Sequence, residues 1–531
     1  MSLSKTWRLN TLIAAVMAGA FVLPAQLATA QPAAVPTPAE ATDAAAGPDQ
    51  TIRMKVGISQ QELADLRAQG RKAREQGHKS LPVPAPTTQP DHAAPAKPAK
   101  KAAEPLTVLE ADRASKQAAA DNARQAAQGL RTAADPIPTP EHNRGWVPIG
   151  EMPHEDRLNA CLDGDAADKG IGRVYNRFTY CARWNLQVEY WEIDSKGVPV
   201  EKEGTTSAVW RVFGQGDAKD RRVRIFSQIE KDSVDYDWGP IDNIFVAPGV
   251  PLSLMGQCSQ DSDVCGAGPG SYTMPWATWD NNPIWANWDI YNREQNSEGR
   301  DKISYNQWYV EAFTDNEEYT TLNRAETPPR LMRCDSATYF NKGKAKYPKA
   351  CIFSEVTPHL TYTRGTTHHA VAEHLYIAFN QPRSTYPLLT PPGQPWPRDK
   401  KIPGKYDPAN QDAPGLHRIT KKLHPDETKA NKDHKDGACF KTGPQRDLYR
   451  DTGLPNGTNP GEQCDEYPFA STLEGAGNAS WDFSVKSVPA KDNRVAGGML
   501  REYYVDDRML AWDKGLDRPS ETNDRFYMKI D

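Results

Sequence analysis

The stretch Glu462-Gln463-Cys464-Asp465-Glu466-Tyr467-Pro468 sets two carboxylates directly behind a cysteine, near the C-terminal end of a 531-residue chain. Such a cluster has three readings: an acidic turn pinned by a disulfide, a metal-ligand or general-base site, or a calcium-type structural loop. Further along stand Glu474, the triplet Asp492-Asn493-Arg494, and Glu502. Hydrolysis of a phosphodiester needs a base for the proton of water, a hard divalent cation for the developing charge, and a cation beside the scissile phosphate. The residue types are all present: Asp465 and Glu466 for acid–base work, Arg494 for the phosphate, and Glu474, Asn493 and Glu502 as oxygen donors to Mg²⁺ or Mn²⁺. Solvated acids and a helix cap at Asp492 account for the same residues equally well on type alone.

These groups must be carried by regular elements. "WDFSVKSVPA" (481–490) alternates like a strand, and "NRVAGGMLREYY" (493–504) steps Val495, Met499 and Tyr503 at helical spacing, with Asp492 placed to cap it. The expected order is acid turn, strand, capped helix, closing strand. Upstream, "THHAVAEHLYIAFNQP" (367–382) reads as an amphipathic helix ended by Pro382. Its His368, His369, Glu373 and His374 lack the H-E-x-x-H spacing of a zinc site, so they read as a solvated helix face. The long Pro- and Lys-rich run that follows, up to Arg450, fits a phosphate-contacting surface or an ordinary solvated loop.

The rest of the chain sets the context. Lys5 and Arg8, an apolar run from Leu12 to Leu23 and the small-residue ending Ala28-Thr29-Ala30 read as a signal peptide over 1–30, so export is expected. No later run approaches the length of a membrane span. The eight cysteines fall as near neighbours, Cys161 with Cys181, Cys258 with Cys265, Cys334 with Cys351 and Cys439 with Cys464. Sequence does not fix their connectivity, but sequential pairing closes short loops, and the absence of any C-x-x-C disfavours structural zinc. A net charge of −5 excludes a wholly basic nucleic-acid binder while leaving room for a local basic groove.

Residues 31–140, rich in Ala, Pro, Lys and Gln, read as a disordered spacer holding two weak helices, at 59–77 and 110–134. From Trp146 the composition changes. Ten of the fourteen tryptophans lie between 146 and 308, among alternating runs such as "WNLQVEYWEI" (184–193), and 146–335 reads as an all-β, antiparallel sandwich-like domain. Its tryptophans are either packing or, if exposed, a stacking platform for sugars or bases.

"QCDEYPFASTLEGAG", "FSVKSVPAKDNRVAGGML" and the terminal "DRFYMKI" resemble the deoxyribonuclease NucA/NucB family of secreted bacterial nucleases, with a looser likeness from about 350 in "VAEHL", "KKIPGK" and "LHRIT". The resemblance implies that 350–531 is an α+β nuclease domain with a ββα-metal core. It makes Asp465 the general base, Asn493 the direct ligand of one Mg²⁺ or Mn²⁺, and Glu502 a ligand of the metal or its waters. It implies a secreted endonuclease that cuts DNA without strong sequence preference, and the sequential pairing of Cys439 with Cys464 would pin the strand end beside the base. The competing expectation is a binding or adhesion protein whose β-rich domain holds a cell-surface ligand while the nuclease-like domain stays idle.

Overall fold

The computed structural model describes residues 48–81, the backbone of 87–91, and 145–531 apart from short gaps at 164, 260–263, 269, 283, 296, 315–318, 411–412 and 517–523. The signal-peptide segment and the helix expected at 110–134 lie outside the described residues.

Residues 31–140 do not form a uniform spacer. In Thr51–Ser59 (β1), Met54, Val56 and Ile58 recur with period two and are fully buried. Ser59 then caps helix α1 (Gln60–Glu75), its Oγ accepting from Glu62 N at 3.2 Å, and the helix buries Leu63, Leu66 and Ala73. The average composition around β1 is that of a linker, but the local alternation is that of a core strand.

β1 lies inside a nine-stranded sheet, parallel to β2 (Thr179–Ile193) on one side. Beyond β2 come β3 (Pro199–Gly216), β4 (Arg222–Ile229) and, past β5 (Pro251–Cys258) in the chain, β6 (Ala286–Asn292). The second sheet has seven strands and contains β5, β7 (Ser304–Phe313), β9 (Arg330–Asp335) and β10 (Ala350–Phe353); β8 (Tyr319–Asn323) returns to the first sheet as the antiparallel neighbour of β1. Apolar side chains of both sheets form one core. The two sheets are therefore sandwiched, with one parallel pair where an all-antiparallel arrangement was expected. Trp276, Trp279, Trp285 and Trp288 are core residues, which removes the stacking platform. All four disulfides join sequential neighbours, and Cys334 stands directly across the β9–β10 ladder from Cys351. The second domain thus starts after β10, near His359, and not at 350.

That domain begins with β11 (His359–Tyr362) and α2 (His369–Asn380), followed by the short β12 (Leu416–His417) and helix α3 (Pro425–Phe440). The basic run read as a loop thus contains a sixteen-residue helix. Strands β13 (Glu462–Tyr467) and β14 (Ser484–Pro489) pair as an antiparallel ribbon, α4 (Ala490–Asp506) follows at once, and β15 (Arg525–Ile530) closes the chain between β11 and β12. Tyr467, Val488, Leu500, Tyr503 and Phe526 form the core with α2.

The two domains dock through buried charge at the far end of α4. Asp524 takes Arg177 Nη2 at 3.0 Å and Arg333 Nη1 at 2.6 Å, while Arg508 reaches back to Asp335 at 2.6 Å. Phe340 of the β-domain sits between two guanidinium groups of the nuclease-like domain, Arg508 at 4.0 Å and Arg418 at 5.0 Å from its ring centre.

Candidate active site

Strand alternation sorts the acid motif into two faces. Gln463, Asp465 and Tyr467 face α2 and α4; Cys464 and Glu466 face α3. Asp465 is 6% exposed, and its Oδ2 lies 2.6 Å from His374 Nδ1 on α2. The other imidazole nitrogen of His374 lies 2.7 Å from Ser484 Oγ on β14. An ionised carboxylate only accepts, so Nδ1 carries the proton and donates to Asp465, while Nε2 bonds the Ser484 hydroxyl, a group able to donate or accept. Asp465 Oδ1 takes no hydrogen bond among the described residues and is not sealed from solvent. The order Asp–His–Ser resembles a nucleophilic triad, but Ser484 is fully buried, so the serine orients the histidine and cannot attack a substrate.

Asn493 lies one turn into α4, and its Nδ2 donates to Gln463 Oε1 at 3.2 Å, which puts it on the Asp465 face of the ribbon with its own Oδ1 uncommitted among the described residues. Asp492 is not the cap of α4. The helix starts at Ala490 behind Pro489, and Asp492 Oδ2 accepts Ala370 N at 3.0 Å, fastening the first turn of α4 to the first turn of α2. That bond satisfies a helix-end donor of α2 and brings two helix N-termini together.

Four other expected site residues fall elsewhere. Glu466 points away from Asp465 into the contact with α3, where burial and, more weakly, the negative charge of Asp465 push its carboxyl up to about 8 against the pull of Lys435. Its Oε2 is sealed without a hydrogen-bond partner among the described residues. Glu474 is buried and accepts His417 N at 2.9 Å and His417 Nδ1 at 2.7 Å, bracing β12. Glu502 is exposed; nine residues beyond Asn493, it lies about 180° around the helix and about 13 Å along it. Glu474, Asn493 and Glu502 therefore do not converge on one ion. Arg494 is exposed, about 100° around α4 from Asn493, and makes no ion pair among the described residues.

His374 was missed, although its spacing from Val371 and Leu375 already set it on the apolar stripe of α2, where a solvated histidine does not belong. Lys486 was also missed. It stands directly across the ribbon from Asp465, a relation that only the register reveals. Cys439 and Cys464 tie the end of α3 to β13.

No curated protein and no solved structure matches the chain. Among the described residues, no helix is long and apolar enough to cross a membrane, and the four disulfides fit an oxidising compartment. The family model described as deoxyribonuclease NucA/NucB matches residues 413–514, a segment holding β12, α3, the whole β13–β14 ribbon and α4. With the ribbon, its buried acid and the helix behind it inside that match, the C-terminal domain of this chain belongs to the deoxyribonuclease NucA/NucB family.

Proposed function

We propose that the chain is an exported, divalent-metal-dependent endonuclease that hydrolyses DNA without strong sequence preference, from a core of the ββα-metal type. The observation that carries this reading is the Asp465 carboxylate, gripped through one oxygen by His374 and open at the other, on the face of the ribbon that Asn493 shares. Asp465 Oδ1 accepts the proton of the attacking water. His374 keeps Oδ2 occupied, so the free oxygen holds a fixed direction, and Ser484 holds the imidazole. Asn493 Oδ1 is a hard, uncommitted oxygen and fits Mg²⁺ or Mn²⁺ held largely by water, the usual habit of a small hard cation. Bound there, the ion supplies positive charge to the phosphate oxygens. Lys491, Arg494 and Arg501 are the exposed cations of α4, suited to phosphates, and such contacts position DNA without reading its sequence.

The test is plasmid nicking by the mature protein with Mg²⁺, Mn²⁺ or EDTA, beside Asp465→Asn. The asparagine keeps a bond to His374 and loses the base, so cleavage should drop by about 10² to 10⁴ with an unchanged melting temperature. Equal cutting by the variant, or cutting in EDTA, removes this reading.

A further inference from the structure

We propose that Lys486 is a catalytic residue of this site, its ammonium holding a non-bridging oxygen of the scissile phosphate; the proposal rests on the nuclease reading above. The ribbon register pairs Asp465 with Lys486. Residues directly opposite in an antiparallel pair point to the same face, with Cβ atoms about 5 Å apart. The flanking positions of β14 confirm which face that is: Ser484 meets His374, and Val488 enters the core shared with α2 and α4.

On this face of β14 Ser484 and Val488 are committed to the fold, and Lys486 between them is not. A lysine opposite an aspartate ordinarily pairs with it, yet Asp465 gives its Oδ2 to His374, and Lys486 makes no ion pair or hydrogen bond among the described residues. It is half-buried, whereas the buried Lys400 of the same domain is fully partnered, donating to Thr385 O, Thr385 Oγ1 and Pro387 O. The start of α4 lies on the same face through Asn493, and Asp492 ties the start of α2 to it, so two helix dipoles add positive potential there. The ligand that suits an unshared ammonium beside an aspartate base and two helix N-termini is an anion that the base must approach, a backbone phosphate.

In the step itself, the water oxygen bonds to phosphorus and its proton passes to Asp465. The bond from phosphorus to the 3′ oxygen breaks with its electron pair, and that oxygen takes a proton from solvent. Lys486 transfers no proton; it holds the equatorial oxygen on which charge accumulates. Its contact therefore strengthens in the transition state and should appear in kcat and not in KM.

The experiment is steady-state DNA cleavage by the full chain with Mg²⁺ or Mn²⁺, comparing wild type, Lys486→Met, Lys486→Arg and Asp465→Asn across a pH series. Lys486→Met is expected to lower kcat about 100-fold with KM changed by less than about threefold, the scale of losing one charge-stabilising donor, and Lys486→Arg to restore at least about tenfold of that. Should the methionine variant melt early, Lys486→Gln replaces it. Near-wild-type kcat in Lys486→Met while Asp465→Asn is dead overturns the proposal and leaves the nuclease intact. A loss confined to KM overturns it in favour of a remote DNA anchor. Recovery at higher pH overturns it too, because Lys486 would then act only by keeping Asp465 ionised. No cleavage by wild type in either metal, or full cleavage by Asp465→Asn, brings down the nuclease reading and this proposal with it.

Discussion

Replacing Asp524 with asparagine should loosen the whole molecule without touching the chemistry. Asp524 is the shared partner of two arginines of the β-domain, Arg177 and Arg333, and its Oδ2 also accepts Leu510 N at 3.0 Å. The adjacent guanidinium groups hold its carboxyl down to about 2 against the cost of burial. Asparagine keeps the size but deprives two buried cations of their shared carboxylate, leaving Arg333 with Asp335 at 3.6 Å and the Arg508 carbonyl at 2.8 Å, and Arg177 with the Asp507 carbonyl at 3.0 Å. Breaking one side of such a buried pair costs about 3–5 kcal/mol. Proton linkage gives a smaller figure, about 2 kcal/mol between the ordinary 3.8 and about 2, because a protonated acid still fills the site. The sign follows from the lowered value. The stabilisation is complete above pH 3.8 and is lost as pH falls through 2, so variant and wild type should converge across that window. The assay is guanidinium unfolding at pH 7 followed by tryptophan fluorescence and far-UV circular dichroism. Wild type should unfold in one transition and Asp524→Asn earlier, with the two domains separating. DNA cleavage below the transition should be unchanged, since about 20 Å of α4 separates Asn493 from the end of the helix beside this contact. An unaltered midpoint at pH 7, or a gap that stays constant from pH 4 to pH 2, would refute the argument. The same geometry predicts that a cut at Phe353 does not release a clean nuclease domain, because it leaves Arg508 and Asp524 with no partner across the break.

Glu466 titrates at about 8 in the fold and near 4.5 when unfolded, so wild-type stability should fall as pH rises between those values, by on the order of 5 kcal/mol at about 1.4 kcal/mol per pH unit. Melting temperatures at pH 4.5 and pH 9 check this: Glu466→Gln should match wild type near pH 4.5 and exceed it at pH 9, and parallel profiles would contradict the sealed carboxyl. Deleting residues 48–75 removes Met54, Val56, Ile58, Leu63 and Leu66 from the core, on the order of 10 kcal/mol of apolar burial at about 2 kcal/mol each, comparable to the stability of a whole domain. Soluble, natively melting protein from a chain starting at Gly145 would show that β1 is dispensable.

What the sequence disclosed follows from the range of each signal. The alternation of "SVKSVP" and the four-residue steps behind Asn493 are local, and both elements stand where they were expected. The 3.6-residue repeat also implied that Glu502 lies on the opposite side of α4 from Asn493, so its placement among the metal ligands ignored geometry already in hand. The period of two likewise set Glu466 opposite Asp465. By contrast, the His374–Asp465 contact and the Asp465–Lys486 register join segments far apart in the chain, and no local pattern encodes them. Helix α3 was hidden for another reason. It is polar along most of its length and is held by Cys439 and by the Asn431 side chain, which donates to Ala470 O and Thr472 O, so it lacks the apolar stripe by which helices are recognised. β1 failed the opposite way, its short alternation drowned in linker-like surroundings.

The position of β1 also orders events in time. The strand is made early, but its antiparallel neighbour β8 arrives roughly 260 residues later, Ile58 pairing with Tyr319, and its parallel neighbour β2 cannot be joined by a simple hairpin. Contacts of such separation are slow to form, because loop closure is paid for before the pairing returns anything. The first sheet must therefore stay unfinished at the edge beside β1 until β8 has been synthesised, and β15, which joins β11 to β12, follows later still. Neither domain can thus close its sheets as its first strands emerge, a schedule that suits a chain whose four disulfides close only where thiols are oxidised.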